Sequence, residues 1–358
     1  MILFERGGVR TSPRSPPAPT ASAIRCSGWL AVAAMLLSVF EPARAEDLTG
    51  PPPVMPAPLV GPAFGTTYRV QCARLPTGRT REDLHRAIEE VLAGIDRAMS
   101  TWRGDSDASR VGDAPADDWV TVAPDLVALV DLARTIHERS DGAFDITVGR
   151  LVAAWGGGPP RWRPAEAAVG PPTEAAITAA LARVVMQHVE SRATHDPAGP
   201  ALRMRISGIL LDLSGIAPGH AVDEIGRRLG ALGSTDHLVE LGGEVRAWGR
   251  RDDRTPWHVA VRTIDATVPR DIPLADGEAL AVSTARPGRS PLDPRTGRPP
   301  THTTSQVIVR ARSCAVADAW AVACLVRGSG PPRQHDDTAT PDLLPVAVEF
   351  IPAVSGAP

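Results

Sequence analysis

The chain has 358 residues, of which 43% are hydrophobic and 22% charged, and its formal net charge is −3. This near-neutral balance gives no electrostatic reason to expect a nucleic-acid partner, which a strongly basic surface would indicate. The sequence contains no lysine, which excludes mechanisms that use a lysine nucleophile or Schiff base. The length suits one large domain or two packed halves.

A targeting segment is predicted over residues 1–45. Arginines up to Arg25 precede an apolar run over 28–40, and Ala43-Arg44-Ala45 has the small-x-small pattern of a signal-peptide cleavage site. The apolar run is short for a membrane span. We therefore expect export, to the periplasm, with a mature chain that begins at Glu46. The alternative, an uncleaved anchor in the inner membrane, stays open.

The first half of the folded chain is predicted to begin with a strand and two helices. Residues 46–62 are proline-rich and are expected to form an extended linker before a domain over 63–330. A strand is predicted from Thr66 to Leu75, a helix capped by Thr80, and a second helix over 124–139. Residues 156–172 are expected to form a loop, followed by a short helix over 173–184.

Strands and helices are also mixed in the second half of the chain. Strands are predicted over 209–213, 238–241, 257–262 and 306–310, and helices after residue 217 and over 315–326. Residues 331–358 read as a C-terminal extension with a last strand near its end. Cys314 and Cys324 resemble small core residues, although an exported compartment permits a disulfide. Strands and helices without strict alternation indicate an α+β fold.

Residues 211–223 form a distinctive stretch, in which an apolar strand end is followed by a glycine-containing turn and a helix start. A turn of this kind directs backbone N–H groups and a helix N-terminus towards one point, which suits an anion such as phosphate. Many helix starts contain glycine and bind nothing, so an ordinary structural turn remains the alternative.

Several further segments follow one another in a particular order. They are Phe64-Gly65-Thr66-Thr67-Tyr68, Met99-Ser100-Thr101-Trp102 with Asp105-Ser106-Asp107-Ala108-Ser109-Arg110, residues 141–149, Leu241-Gly242-Gly243-Glu244-Val245, Asp293-Pro294-Arg295-Thr296-Gly297 and Ala317-Asp318-Ala319-Trp320-Ala321. Together with the 211–223 turn, this set resembles the ApbE family, the FAD:protein FMN transferases. The resemblance runs from about Phe64 to Gly328.

The resemblance implies a fold of T-fold-like mixed sheets with packed helices, and binding of FAD and a divalent metal, usually Mg²⁺. It implies transfer of the FMN half of FAD to a Ser or Thr hydroxyl of a target protein, with release of AMP. Exported members of the family modify subunits of membrane redox complexes, so a subunit of this kind is the expected partner. Such chemistry needs positioned phosphates, neutralised charge and a base for the hydroxyl.

The resemblance also assigns roles to individual residues. The metal positions are Asp318, the backbone carbonyl of Gly215, and Val322. The expected FAD contacts are Phe64, Trp102, Ala143, Phe144, Asp145, Asp212, Pro218, Gly242, Gly243, Thr284 and Thr296. Trp102 stands where the family usually has Tyr against the adenine. The structural alternatives are turn glycines, a core aromatic and turn hydroxyls.

The departures from the family pattern lie at the reacting centre. Pro218 stands where Lys or Glu is usual, Ser290 where His precedes the Asp293 motif, and Val322 where Thr is usual. Proline has no N–H, valine offers no metal oxygen, and serine does not act as a base without another group. His220 is a candidate to compensate, or else an exposed helix residue.

The predicted catalytic set is therefore His220, Ser290 and Asp293. The leading hypothesis is an exported FAD:protein FMN transferase with a divergent active site. Two alternatives remain: a catalytically degenerate FAD-binding protein that acts as a flavin carrier or partner module, and an interaction protein that retains only the fold.

Overall fold

A computed structural model describes residues 55–163, 170–193, 195–266, 268–285, 291–328 and 341–352, and the backbone of Phe40–Glu41. Apart from Phe40–Glu41, the predicted signal segment lies outside the described residues, and so does Ser290. The strand Phe40–Glu41 precedes the predicted cleavage site, so its pairing belongs to the uncleaved chain. None of the described helices is long and apolar enough to cross a bilayer.

The central layer is a seven-stranded sheet in which every pairing is antiparallel. Its strands, in spatial order, are Ala347–Pro352 (β13), Thr304–Ala311 (β12), Ala279–Thr284 (β11), Glu244–Trp248 (β8), His237–Leu241 (β7), Thr66–Cys72 (β3) and Leu59–Ala63 (β2). Strand β2 begins inside the segment predicted as linker. Pro62 is tolerated there because β2 is an edge strand, where one side needs no N–H donor.

Two smaller sheets each have three strands. One joins Phe40–Glu41 (β1), Trp257–Val261 (β9) and Arg270–Leu274 (β10). The other joins Val120–Thr121 (β4), Ala201–Met204 (β6) and Val189–Arg192 (β5). Strands β5 and β6 form a hairpin over residues 189–204.

Seven α-helices lie in the described residues: Arg81–Met99 (α1), Asp107–Asp113 (α2), Pro124–Arg139 (α3), Gly149–Ala154 (α4), Glu174–Leu181 (α5), Ala217–Ala231 (α6) and Cys314–Arg327 (α7). Short 3₁₀ turns are Pro160–Trp162, Met186–His188 and Pro341–Leu343. Thr80 caps α1 as predicted, since its hydroxyl accepts from the backbone N–H of Asp83 and the Asp83 carboxylate accepts from that of Thr80.

The core has two parts, separated by the central sheet. Alternate residues of β3, β7, β11 and β12, such as Val239 and Val309, join the main cluster with the helices. The intervening residues, such as Leu280 and Ile308, pack with Trp257 and Val259 of β9 on the other face. This period-2 alternation is what a sheet covered on both faces requires.

Most predicted elements are confirmed, and α3 has the predicted bounds. The strand predicted over 209–213 is wrong. These residues are mostly buried but irregular, and only Leu210 forms a single bridge, to Val148. A short apolar run indicates that its residues are buried, but periodicity alone does not distinguish a strand from a buried connection. Cys314 and Cys324 are both free and buried.

Candidate functional site

A cleft of about 370 Å³ opens at one end of the central sheet. The start of β3, the end of β7, the start of β8 and the end of β11 meet there, and the remaining walls come from the end of α1 and the turn before α6. Of the predicted FAD contacts, those that line the cleft are Phe64, Trp102, Pro218, Gly242 and Thr284. The Thr284 hydroxyl accepts a hydrogen bond of 3.2 Å from Nε2 of Gln306.

Phe64 occupies an unfavourable backbone conformation in the cleft wall. It forms the two-residue turn between β2 and β3 with Gly65, and both residues have positive φ, 47° and 80°. Hairpin turns with two positive φ values strongly prefer Asn, Asp or Gly. A phenylalanine in this conformation is strained, and strain of this kind concentrates at functional sites. The turn therefore places Phe64 in the cleft wall at some cost in stability.

The turn before α6 and the first turn of that helix use most of their N–H groups internally, in agreement with the ordinary structural turn that the sequence left open. Ser214 N–H donates to the Asp212 carboxylate, so that side chain stabilises the turn. Pro218 has no N–H. The remaining N–H groups that are bonded within the protein are those of Ile216, Ala217, Gly219 and His220. The expected cradle of N–H groups is therefore largely occupied by internal acceptors.

The three predicted metal positions lie near one another. A Cβ added to Gly215 would be 3.0 Å from Cγ2 of Val322 and 3.4 Å from Cε2 of Phe144. The Gly215 turn therefore packs directly on α7, one helical turn after Asp318. Phe144 also contacts this point, although it does not line the cleft.

Asp318 and Glu244 form a pair of acidic side chains beside the cleft. Asp318 is 5% exposed, and its Oδ2 accepts a hydrogen bond of 3.1 Å from the Gly219 N–H. Burial raises the pKa of Asp318 to about 7. Burial also raises the pKa of Glu244, and the charge of Asp318 raises it further. Among the described residues, neither carboxylate forms an ion pair with an arginine.

This donor set fits a hard cation, since buried carboxylates without a basic partner are stabilised by a bound positive charge. The described residues contain no cluster of three or more His, Cys, Asp or Glu side chains suited to a metal. A cation here would complete its coordination with backbone, phosphate and water oxygens, which Mg²⁺ accepts. Val322 contributes only methyl groups where the family usually has a hydroxyl.

Asp223 holds α7 in the position that places Asp318 in the site. Its carboxylate, on α6, accepts hydrogen bonds from the backbone N–H groups of Cys314 and Ala315 and from the Ser313 hydroxyl. Arg246 donates to the same carboxylate over 2.7 Å. Asp223 therefore satisfies the free donors at the N-terminus of α7. The sequence did not reveal this role of Asp223, because Asp223 and Cys314, at the start of α7, are 91 positions apart in the chain.

Asp145 and Ala143 are buried and do not line the cleft. Asp145 Oδ1 accepts from the Thr147 N–H and hydroxyl, at 2.7 and 2.6 Å, and Oδ2 lies 3.2 Å from His137 Nδ1. The hydrogen bond that His137 donates to the Asp145 carboxylate raises the pKa of His137. Both carboxylate oxygens of Asp145 are therefore engaged within the protein.

Asp293 and Thr296 lie in a tight turn that does not line the cleft. The Asp293 carboxylate accepts hydrogen bonds of 2.8 Å from both Nε and Nη2 of Arg295. The Asp293 carbonyl accepts from the Thr296 and Gly297 N–H groups. The Thr296 hydroxyl accepts from the Arg298 N–H. Arg295 in turn approaches Gly142, so this turn adjoins the loop that carries Asp145.

His220 is half-buried on α6, and its Nε2 is buried with no hydrogen-bond partner among the described residues. It is thus not an exposed surface residue. It does not line the cleft, and neither does Gly243. Ser290 lies outside the described residues, so of the predicted catalytic residues none is seen in the cleft wall.

The comparisons with known proteins agree with this geometry. A model of the ApbE family matches residues 64–334. The chain is 30% identical over 283 residues to the FAD:protein FMN transferase of Vibrio cholerae, which covers 75% of this chain and 81% of that protein. It is also 30% identical over 284 residues to the enzyme of the same name from Salmonella typhimurium, covering 76% and 78%.

Solved structures give the same result. The flavinyl transferase ApbE of Pseudomonas stutzeri, in its apo form, matches with a TM-score of 0.67 and 33% identity, covering 76% of this chain and 84% of that one. The flavin transferase ApbE of Vibrio cholerae matches with a TM-score of 0.68 and 30% identity, covering 76% and 87%. This chain therefore belongs to the ApbE family, and the predicted resemblance and α+β fold are confirmed.

Proposed function

We propose that this protein is an exported FAD:protein FMN transferase, which moves FMN from FAD to a Ser or Thr hydroxyl of a target protein and releases AMP. The observation that carries the proposal is the composition of the cleft. It has aromatic and apolar walls around Phe64 and Trp102, suited to flat rings, and it reaches Glu244, whose charge interacts with that of buried Asp318. Rings and phosphates of one dinucleotide need these two environments side by side.

The aromatic walls orient the dinucleotide. Phe64 and Trp102 offer ring faces that pack on a base or an isoalloxazine ring. Gly242, with φ of 69°, lets the backbone between β7 and β8 approach the ligand. Holding both reactants in one orientation supplies a large part of the rate enhancement in phosphoryl-type transfer.

The acidic pair of Asp318 and Glu244 is the proposed binding site for the ion that neutralises the charge of the phosphates. Asp318 and Glu244 would hold Mg²⁺ together with the Gly215 carbonyl, and the ion supplies neutralisation of pyrophosphate charge. Because the N–H groups of the turn before α6 are mostly used internally, this neutralisation replaces the N–H cradle that the sequence predicted. Asp223, by capping α7, keeps Asp318 in place for that task.

The attacking hydroxyl requires a base, and no histidine lines the cleft within the described residues. Among the described residues that line the cleft, Glu244 has the only titratable side chain. Loss of a general base commonly lowers a rate by about 10²–10⁴-fold. We therefore expect slower transfer than in family members that have His at the position of Ser290.

The cell compartment and the acceptor are part of the same proposal. The charged and apolar pattern of residues 1–45 supports export to the periplasm. A subunit of a membrane redox complex with a Ser or Thr flavinylation motif is the proposed acceptor, on the strength of the family resemblance.

A second candidate function is that of a flavin carrier or partner module that binds FAD without transferring it. Val322 at a metal position, Pro218 on the turn and the location of His220 away from the cleft favour this reading. Both candidates require FAD to bind, and they differ only in turnover.

Incubation of the purified protein with FAD, Mg²⁺ and a peptide carrying the acceptor motif separates the two. Release of AMP together with a peptide mass increase equal to FMN supports the transferase. Bound FAD with neither signal supports the carrier. A protein that binds no FAD under these conditions contradicts both candidates.

A further inference from the structure

The loop that carries Trp102 is held from outside the cleft by a small polar network. Residues 100–103 follow α1, and the carbonyl groups of Ser100 and Arg103 accept hydrogen bonds from serine side chains in and next to α2. The Ser106 hydroxyl donates to the Ser100 carbonyl over 2.6 Å, and the Ser109 hydroxyl donates to the Arg103 carbonyl. Carbonyls on both sides of Trp102 therefore have side-chain donors.

Arg161 completes this network from a distant part of the chain. Its Nη2 lies 2.7 Å from the Thr101 carbonyl and 2.5 Å from the Ser109 hydroxyl. Its Nη1 lies 3.9 Å from the carboxylate of Asp113, at the end of α2. Arg161 does not itself line the cleft, whereas Thr101 and Trp102 do.

The 3₁₀ turn Pro160–Trp162 gives Arg161 a rigid base. Trp162 is buried in a cluster with Ala153 of α4 and Leu210. Gly158 has a φ of 67°, and a Cβ at that position would be 2.5 Å from the Trp162 ring, so only glycine fits there. Arg163 closes the turn by donating to the carbonyls of Gly157 and Gly158.

This turn joins two walls of the cleft. Leu210, which packs on Trp162, lies just before the segment whose residues Leu213 and Pro218 line the cleft. Arg161 donates to Thr101, which lines the cleft from another part of the chain. A guanidinium suits this position, because its planar fork binds several acceptors in a fixed geometry that an ammonium group does not reproduce.

We propose that Arg161 is a positioning residue that sets the orientation of Trp102 for the dinucleotide, acting through the Thr101 carbonyl and Ser109. The inference rests on the proposed function in so far as FAD is the ligand. It predicts that Arg161 affects ligand affinity without taking part in the reaction.

Titration of the purified protein with FAD and Mg²⁺, without acceptor, tests this inference. Arg161→Ala is expected to weaken FAD binding about tenfold, equal to about 1.4 kcal/mol. Arg161→Lys is expected to recover part of that loss. Arg192→Ala is the matched control, since Arg192 also donates to two backbone carbonyls, those of Ala198 and Gly199 in the β5–β6 hairpin, and does not line the cleft. Its FAD affinity is expected to stay within twofold of the wild type.

Two further variants show whether Arg161 acts through Trp102. Trp102→Ala lowers FAD affinity, and adding Arg161→Ala to it is expected to cause little further loss, because coupled residues are not additive. If the two losses add in full, or if Arg161→Ala binds FAD as tightly as Arg192→Ala, the inference is overturned.

Hydrogen exchange of the ligand-free protein tests the same inference independently of FAD. Amides of residues 101–106 are expected to exchange at least fivefold faster in Arg161→Ala, and at the wild-type rate in Arg192→Ala. Unchanged exchange in Arg161→Ala overturns the inference even if the protein proves to be a transferase. Failure of the wild type to bind FAD refutes the proposed function and leaves this exchange result decisive for Arg161. Ser109→Ala, which removes one partner of Arg161, is expected to give the same faster exchange and serves if Arg161→Ala does not fold.

Discussion

The buried carboxylate of Asp318 on α7 accepts a hydrogen bond of 3.1 Å from the backbone N–H of Gly219 in the first turn of α6. Asp223 of α6 makes the reverse connection, since it caps the N-terminus of α7. Each helix thus supplies an aspartate to the start of the other. The position of the proposed metal ligand is consequently set by the packing of two helices and not by a flexible loop.

Gly219 allows this close packing, and replacing it is expected to separate the helices. A Cβ at Gly219 would lie 2.4 Å from the Cys314 carbonyl oxygen. Gly219→Ala should therefore lower the free energy of unfolding by about 1–3 kcal/mol, as overpacking does. Urea unfolding measures the change. Gly230→Ala is the control on the same helix: its Cβ would meet nothing within 4 Å, so it is expected to be neutral or stabilising. Equal loss in both variants would show that helix packing is not the cause.

Phe64 is expected to lower the stability of the protein and to strengthen FAD binding. Phe64→Asn removes the strain of a positive φ in the hairpin turn, so thermal stability should rise by an amount of order 1 kcal/mol, while FAD affinity should fall because the ring is lost. Arg254→Asn is the matched control, because Arg254 has a φ of 66° but lies away from the cleft. That variant should gain stability and keep its FAD affinity. If FAD affinity is unaltered in Phe64→Asn, the Phe64 ring does not contact FAD.

The charges of Asp318 and Asp223 are expected to have separate effects. Asp318→Asn keeps an oxygen for the Gly219 N–H but removes the charge, so Mg²⁺ should no longer strengthen FAD binding, while unfolding stability should be retained. Asp223→Asn weakens several hydrogen bonds to α7 and an ion pair with Arg246, so stability should fall by about 1–3 kcal/mol. FAD titrations with and without Mg²⁺, beside urea unfolding, measure both quantities. A normal Mg²⁺ response in Asp318→Asn would exclude Asp318 as a ligand.

His237 is expected to make the fold less stable in acid. Burial lowers its pKa to about 4, and its ring stacks on Trp248 with a centroid distance of 4.8 Å. In the unfolded chain the pKa of His237 is near 6.5, so the unfolded state binds the proton first as the pH falls. Stability is therefore lost below about pH 6.5. The loss from this group between pH 7 and pH 5 is about 2 kcal/mol. Urea unfolding of the wild type and of His237→Gln at both pH values should show a smaller pH dependence in the variant. Equal slopes would assign the acid sensitivity to other groups.

Local patterns in the sequence were enough to predict the long helices and many strands. The apolar period of α1, the Thr80 cap and the start of α3 at Pro124 depend on residues within one or two turns of each other, so they can be recognised without knowing the fold. The run 209–213 misled the prediction because its burial comes from neighbours on α4 and elsewhere, and not from a strand partner.

For the candidate site, the sequence supplied the residue types and the order in which they occur. Phe64, Trp102, Gly242 and Thr284 line the cleft as the resemblance implied, whereas Asp145, Asp293 and Thr296 are engaged in internal hydrogen bonds outside its wall. Glu244, which the sequence analysis gave no role of its own, is the one carboxylate among the residues that line the cleft. Its importance emerges from its proximity to Asp318, which comes from another element.

By itself, the sequence determined the family, the α+β class and the local elements, because motif order and helical or strand period are properties of neighbouring residues. The tertiary structure alone decided which groups meet. Gly219 and Asp318 are 99 positions apart, and Thr101 and Arg161 are 60 apart. Such pairs are selected when helices bury their apolar faces on a sheet, and that burial fixes the polar contacts between elements without leaving any periodic trace in the chain.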